Sequence, residues 1–212
     1  MSERLSSAIN TDYLQAAVEK PWHYGFLSLV RWFDARYQTQ YGIGQTLRPI
    51  QDVIRLGQHP SVSFSPREIA SVQIQNGRIK IEHLGLGVWG ANGPLPLHFS
   101  EIAMHRKEMV HDHTLTNFID MFHHRSFSLF YRAWLINQST AGLDKKDDEH
   151  FSRYIAWLTG NECSELAHQF LPVHAKLFAS ANSVNQSKTP SAITQTLTQY
   201  FKTAFAIEEY YF

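Results

Sequence analysis

An α+β fold, with helices packed on a small antiparallel β-sheet or partial barrel, is what the sequence predicts. Three observations carry that reading. Ser71 to Gln75 and Arg78 to Leu84 flank Asn76-Gly77 and alternate apolar with polar residues. This is the pattern of a β-hairpin on a type I′ turn, whose two positive-φ positions favour Asn and Gly. Counting outward from the turn opposes Ile74 to Ile79, Val72 to Ile81 and Gln73 to Lys80, so apolar and polar side chains fall on opposite faces. Helical periodicity recurs over 24–37 and 115–137. Finally, the 212 residues are 43% hydrophobic and 13% aromatic, enough for one sizeable domain or two small ones and too apolar for a disordered chain.

The elements follow in order. Residues 11–20 form a short helix with Leu14, Ala17 and Val18 on one face and Pro21 just beyond. From Tyr24 to Tyr37, Phe26, Leu29, Val30 and Phe33 recur at i, i+3, i+4 and i+7. Gln38 to Thr46 is a loop. Asp52 to Leu56 and Val62 to Phe64 read as short strands, followed by the 71–84 hairpin and a Gly/Pro-rich loop from Gly85 to Pro96. Ser100 is the expected cap of a helix over 101–112. The longest helix spans Leu115 to Asn137, with Leu115, Phe118, Ile119, Phe122, Leu129, Phe130, Ala133 and Trp134 as its apolar stripe. A helix over 148–159 turns Phe151, Tyr154, Ile155 and Leu158 inward and ends at Gly160. Shorter helices are expected over 164–171, 174–181 and 192–202, with a loop from Asn182 to Ser191. Alternation from Ala204 to Phe212 reads as a strand at an edge or interface.

These elements divide into an N-terminal helical segment (1–47), a main α+β domain (48–202) and the start of a further β-rich part (203–212). The apolar end Tyr210-Tyr211-Phe212 reads as the interior of a longer protein rather than a frayed terminus.

Charge and cysteine usage exclude several classes. Lys+Arg and Asp+Glu are both 19, so no basic excess marks a nucleic-acid or membrane-surface protein. Cys163 is the single cysteine, so no intrachain disulfide forms. Met1 to Leu5 lacks an apolar run, and none elsewhere approaches the ~20 residues of a spanning helix. A cytoplasmic protein without direct membrane insertion is expected.

Candidate chemistry is sparse. Gly85-Leu86-Gly87-Val88-Trp89-Gly90 matches G-x-G-x-x-G. A dinucleotide site also needs a helix opening in the motif, which Pro94 and Pro96 forbid. Among 12 histidines, His105, His111, His113, His123 and His124 lie near Glu108, Asp112 and Asp120. That composition permits a histidine-dependent metalloenzyme, a hydrolase. The spacing opposes it: there is no H-E-x-x-H, and adjacent His123 and His124 point about 100° apart on a helix. Asp120, His124 and Arg125 are expected to form a structural polar network, with His124 bonded to Asp120, and no metal or cofactor. Cys163 and His168 are too poorly spaced for a nucleophile and its base. No catalytic residue is assigned. Trp89, Pro94, Leu95, Pro96 and Leu97 are the expected partner-binding residues, because two prolines keep Gly93 to Leu97 extended and stiff. The alternative is that Trp89 and Leu95 plug the protein's own core.

Three segments together resemble a known family. They are Arg48-Pro49 to Leu56 with Pro60 to Ile69; Leu84-Gly85-Leu86-Gly87-Val88-Trp89-Gly90-Ala91-Asn92-Gly93-Pro94-Leu95-Pro96; and Phe118 to Arg125 with Leu129-Phe130-Tyr131-Arg132-Ala133-Trp134. The family is TssG, also called ImpH or VasB, a baseplate subunit of the bacterial type VI secretion system. The resemblance runs from about Tyr24 to Gly160; His123 stands where the family often has Asn. It implies a non-enzymatic wedge protein that assembles with two copies of TssF, contacts TssK and lies near TssE. It also implies a cytoplasmic location, membrane-associated through the secretion complex. Members usually continue further, so the chain reads as an N-terminal portion.

Overall fold

The computed structural model describes residues 12–36, 42–48, 51–75, 77–144, 150–160, 171–185, 187 and 189–210. They group into two units, Met1–Gln138 and Ser139–Phe212.

In the first unit, α1 (Asp12–Glu19) buries Leu14 and Ala17, while Val18 is exposed. A 3₁₀ turn over Pro21–His23 follows. Helix α2 (Phe26–Arg36) buries Phe26, Leu29, Val30 and Phe33, the four positions its period marks. Its first N–H, on Phe26, donates to Glu68 Oε2 at 2.6 Å. A carboxylate there satisfies a donor that the helix cannot use and complements its positive end.

Three strands form one sheet: β1 (Ile54–Gln58), β2 (Ile69–Gln75) and β3 (Arg78–His83), in the order β1-β3-β2. The hairpin register is the one counted from the turn, with Ile74 opposite Ile79 and Val72 opposite Ile81. Gly77 has φ of +72°. The α+β class holds, but the sheet is mixed, because β1 runs parallel to β3. Val62 to Phe64 forms no strand, and Phe64 is exposed. Ile54, Leu56, Ile69, Val72, Ile79 and Ile81 join α1 and α2 in one core, each such side chain contributing about 1.5–3 kcal/mol by burial.

Helix α3 covers Leu97–Glu108 and α4 covers Thr114–Ile136. Ser100 is therefore not a cap. It is buried inside α3, whose N-cap is Pro96, because Pro suits the extended residue before a first helical turn. The larger correction concerns α4. Phe118, Phe122, Leu129 and Phe130, expected inside, are exposed. Its buried residues are Thr116, His123, His124, Phe127, Ser128 and Tyr131.

In the second unit, a 3₁₀ turn (Ala141–Asp144) precedes α5 (Phe151–Leu158), α6 (Val173–Phe178), α7 (Ser180–Val184) and α8 (Pro190–Phe201). Its core is small: Ala156 and Leu177, with Ile155 and Val173 against them. Phe151, Tyr154 and Leu158 face outward, against expectation, because so small a core covers only one narrow strip of α5. Gly160 does take the left-handed conformation, with φ of +72°. The helix expected over 164–171, Cys163 and His168 lie outside the described residues, apart from Leu171. The loop expected from Asn182 gives its first residues to α7. Residues 203–209 are exposed and form no strand, since alternation makes a strand only where another strand offers a ladder.

Candidate functional site

Strand β1 is a sheet edge, and an edge leaves every second backbone N–H without a partner. Helix α4 supplies the missing acceptors. The Gln58 N–H donates to Asp120 Oδ1 at 3.0 Å, and the Leu56 N–H donates to His124 Nδ1 at 3.2 Å. The spacing works because the four helical residues from Asp120 to His124 rise about 6 Å, close to the roughly 6.6 Å spanned by two strand residues. Helix and strand run antiparallel. Gly57 lets them close: a Cβ there would fall on the Asp120 carboxylate.

The two histidines are fixed as complementary tautomers. His124 accepts at Nδ1, so its Nε2 carries the proton and donates to Asp52 Oδ2 at 2.8 Å. Thr46 Oγ1 donates to Asp52 Oδ1 at 2.6 Å. Burial would raise the Asp52 pKa, but the hydrogen bonds from His124 and Thr46 outweigh it and hold the carboxyl below its usual value. His123 accepts the Val88 N–H at Nε2, 3.1 Å, so its Nδ1–H donates to Asp120 Oδ1 at 3.1 Å. The expected network is thus redistributed: Asp120 bonds His123, and His124 bonds Asp52. Arg125 belongs to neither pair. It is exposed and donates to the Gly44 carbonyl at 3.3 Å. Sequence spacing favoured an Asp120–His124 bond at i, i+4, but both side chains turn toward the strand edge instead.

The Gly-rich loop is held the same way. His83 Nδ1 accepts from Gly85 and Leu86, at 2.9 and 2.8 Å. Gln58 Oε1 accepts from Trp89 at 2.8 Å while its Nε2 donates to the Trp89 carbonyl at 2.9 Å. Ser100 Oγ accepts from Gly90 at 2.9 Å. Gly87 has φ of +131°, and a Cβ there would strike Gln58. These N–H groups point at the protein's own side chains, so the G-x-G-x-x-G match offers no phosphate cradle. Burial pushes the His83 pKa down, in keeping with an imidazole that accepts two backbone donors.

On the polar sheet face, Glu82 is buried between Lys107, at 2.9 Å, and Lys80, at 3.0 Å. Lys80 also reaches Asp120 at 3.6 Å. Burial alone would raise the Glu82 pKa; hydrogen bonding from His59 and the two ammonium groups drive it far below the carboxylate range. Burial lowers the Lys80 pKa less than Glu82 and Asp120 raise it, so it lies above its usual value.

Among the expected partner-binding residues, Trp89 is corrected. It is 3% exposed and fills the interior under the loop, because Gln58 grips both sides of its backbone. Leu95 is half-buried. Pro94, Pro96 and Leu97 are exposed, and Leu97 opens α3 instead of extending the stiff segment. His105, His111 and His113 are exposed. Among the described residues, no three His, Cys, Asp or Glu side chains converge on a point that could hold a metal.

Sequence reasoning missed the outer surface of this region. Phe118 and Phe122 pack edge-to-face at 5.7 Å and are 53% and 60% exposed. Met121, Leu129, Phe130 and Ile136 extend the apolar surface along α4, and Leu97, Phe99 and Ile102 do so on α3. Isolated apolar residues on a surface are ordinary; a helix-long stripe marks an interaction face.

The model of one family, described as type VI secretion, TssG, matches residues 20–212. The chain belongs to the TssG family. Membership of that family implies a subunit of the type VI secretion baseplate. No curated protein and no solved structure matches the chain. No helix among the described residues is long and apolar enough to cross a membrane.

Proposed function

We propose that this TssG chain is a non-enzymatic wedge subunit that docks TssF through the outer face of α4. The observation that supports it is the apolar stripe of Phe118, Phe122, Leu129 and Ile136, which a helix of a self-sufficient domain would turn inward. Arg125 and Arg132 border that stripe on the same helix and are exposed. They select a partner helix with an apolar face and an acidic flank. In this reading two copies of TssF share the wedge, the exposed Pro94, Pro96 and Leu97 at the start of α3 contact TssK, and TssE lies nearby. The protein acts in the cytoplasm and meets the membrane through the rest of the secretion complex.

Co-purification tests the proposal. Phe118→Asp with Phe122→Asp is expected to abolish capture of TssF while leaving circular dichroism unchanged. Leu97→Asp is expected to weaken capture of TssK. Folded Phe118→Asp/Phe122→Asp protein that still retains TssF overturns the α4 assignment.

A further inference from the structure

The second unit carries more apolar surface than core. Its buried pair is Ala156 and Leu177, while Phe178 is 69% exposed and Phe201 is 58% exposed. Leu177 and Phe178 of α6, with Leu197, Tyr200 and Phe201 of α8, line one groove of about 1000 Å³. That volume stands at the upper end of the roughly 300–1,000 Å³ of binding clefts. Apolar side chains gathered in this way mark a docking surface.

The walls say what fills it. Both are helices, whose backbone groups are bonded internally except at the ends, so they offer an extended peptide no strand edge. Contact must come through side chains, as when an amphipathic helix lies in a groove. The charge on the walls complements acid. Lys176, half-buried, and Lys202, exposed, line the groove, and among the described residues no carboxylate does. Neither ammonium group has an ion-pair partner among those residues. Lone cations beside apolar surface steer an incoming carboxylate and fix the register in which it docks.

We infer that this groove docks an amphipathic helix of a partner protein, its apolar stripe meeting Leu177 and Phe201 and the carboxylates along that stripe meeting Lys176 and Lys202. The groove lies in the second unit and the α4 stripe in the first, so the two docking proposals are tested apart.

The probe is a fluorescein-labelled peptide of about 18 residues, long enough to form a helix alone. It has a leucine stripe bordered by glutamates, with alanine and glutamine elsewhere; a second peptide has lysine at each glutamate. Both are titrated by fluorescence anisotropy into the full chain carrying Phe118→Asp with Phe122→Asp, so that α4 does not take up the probe. The acidic peptide is expected to bind at least about tenfold more tightly than the basic one. Adding Lys176→Glu with Lys202→Glu is expected to reverse that order, because two attractive contacts become repulsive. Phe178→Asp is expected to abolish binding with circular dichroism unchanged. Arg153→Gln, an exposed arginine elsewhere, is expected to change nothing. Methyl resonances of Ala175 and Leu177 are expected to shift with the acidic peptide in the chain without the α4 substitutions, which keeps the test decisive if that background fails to fold. The inference is overturned if the acidic peptide does not bind, or if reversing both lysines leaves the preference unchanged. It is also overturned if decanoate binds the groove more tightly than the peptide, or if sedimentation shows a dimer that Phe178→Asp dissolves, which would make a second copy of the chain the occupant.

Discussion

The two faces of α4 contrast in a way that reverses the usual order. The inner face carries Asp120, His123, His124 and Ser128; the outer face carries Phe118, Phe122, Leu129 and Ile136. Hydrophobicity alone would turn the helix around. What fixes its orientation is the edge of β1, whose N–H groups need acceptors more than the core needs another phenylalanine. Phe127 and Tyr131 supply enough apolar contact for the inner face to join the core, and Tyr131 also donates to Asp34 Oδ2 at 3.1 Å.

If that account is right, the inner face governs stability and the outer face governs association. The sharpest break is Asp120→Ala. It removes an acceptor from Gln58 and His123 and leaves Lys80 with one fewer carboxylate. Loss of a partner from a buried charged set costs about 3–5 kcal/mol, so the melting temperature is expected to drop by roughly 10 °C. An unchanged melting curve would refute the edge-clamp role.

Acidification attacks the buried polar groups of the sheet that this face packs against. His83, Glu82 and Asp52 all have folded-state pKa values below their ordinary ones of 6.5, 4.5 and 3.8. A lowered folded pKa gives stability that is complete above the ordinary value and is lost as pH falls below it. Thermal stability is therefore expected to decline gently below about pH 6.5, as His83 titrates, and steeply below about pH 4.5, as the carboxylates follow. Scanning calorimetry across pH 8 to 3 checks both slopes.

His124→Ala removes the Leu56 acceptor and the Asp52 donor but no formal charge, and is expected to cost about 1–3 kcal/mol by urea denaturation. At the other extreme, Phe122→Ser on the outer face is expected to change stability by less than about 0.5 kcal/mol while reducing TssF capture.

Much of this was readable before any coordinates. The hairpin register followed from alternation and Asn76-Gly77, and the buried face of α2 from a single apolar stripe. Both are local patterns with one solution. Helix α4 has aromatic residues on two sides, so its period cannot choose between them. The deciding partners, Leu56 and Gln58, lie more than 60 residues away and become an edge only because β1 pairs in parallel with β3. The two readings of Trp89, partner anchor or core plug, stay open in the sequence for a similar reason: the group that draws it inward is Gln58, on another strand. Gly57 and Gly87 were the available clues, since each marks a close approach by a side chain from a distant element.

The loop from Gly85 to Gly90 has a kinetic consequence. Gly85, Leu86, Val88, Trp89 and Gly90 have no ladder or helical turn, yet each amide donates to a side chain of another element or of the strand end. Deuterium can replace those hydrogens only when β1, β3, α3 or α4 lets go. A segment without regular secondary structure would then exchange on the slow clock of the sheet it lies against, and would open with the whole unit rather than ahead of it.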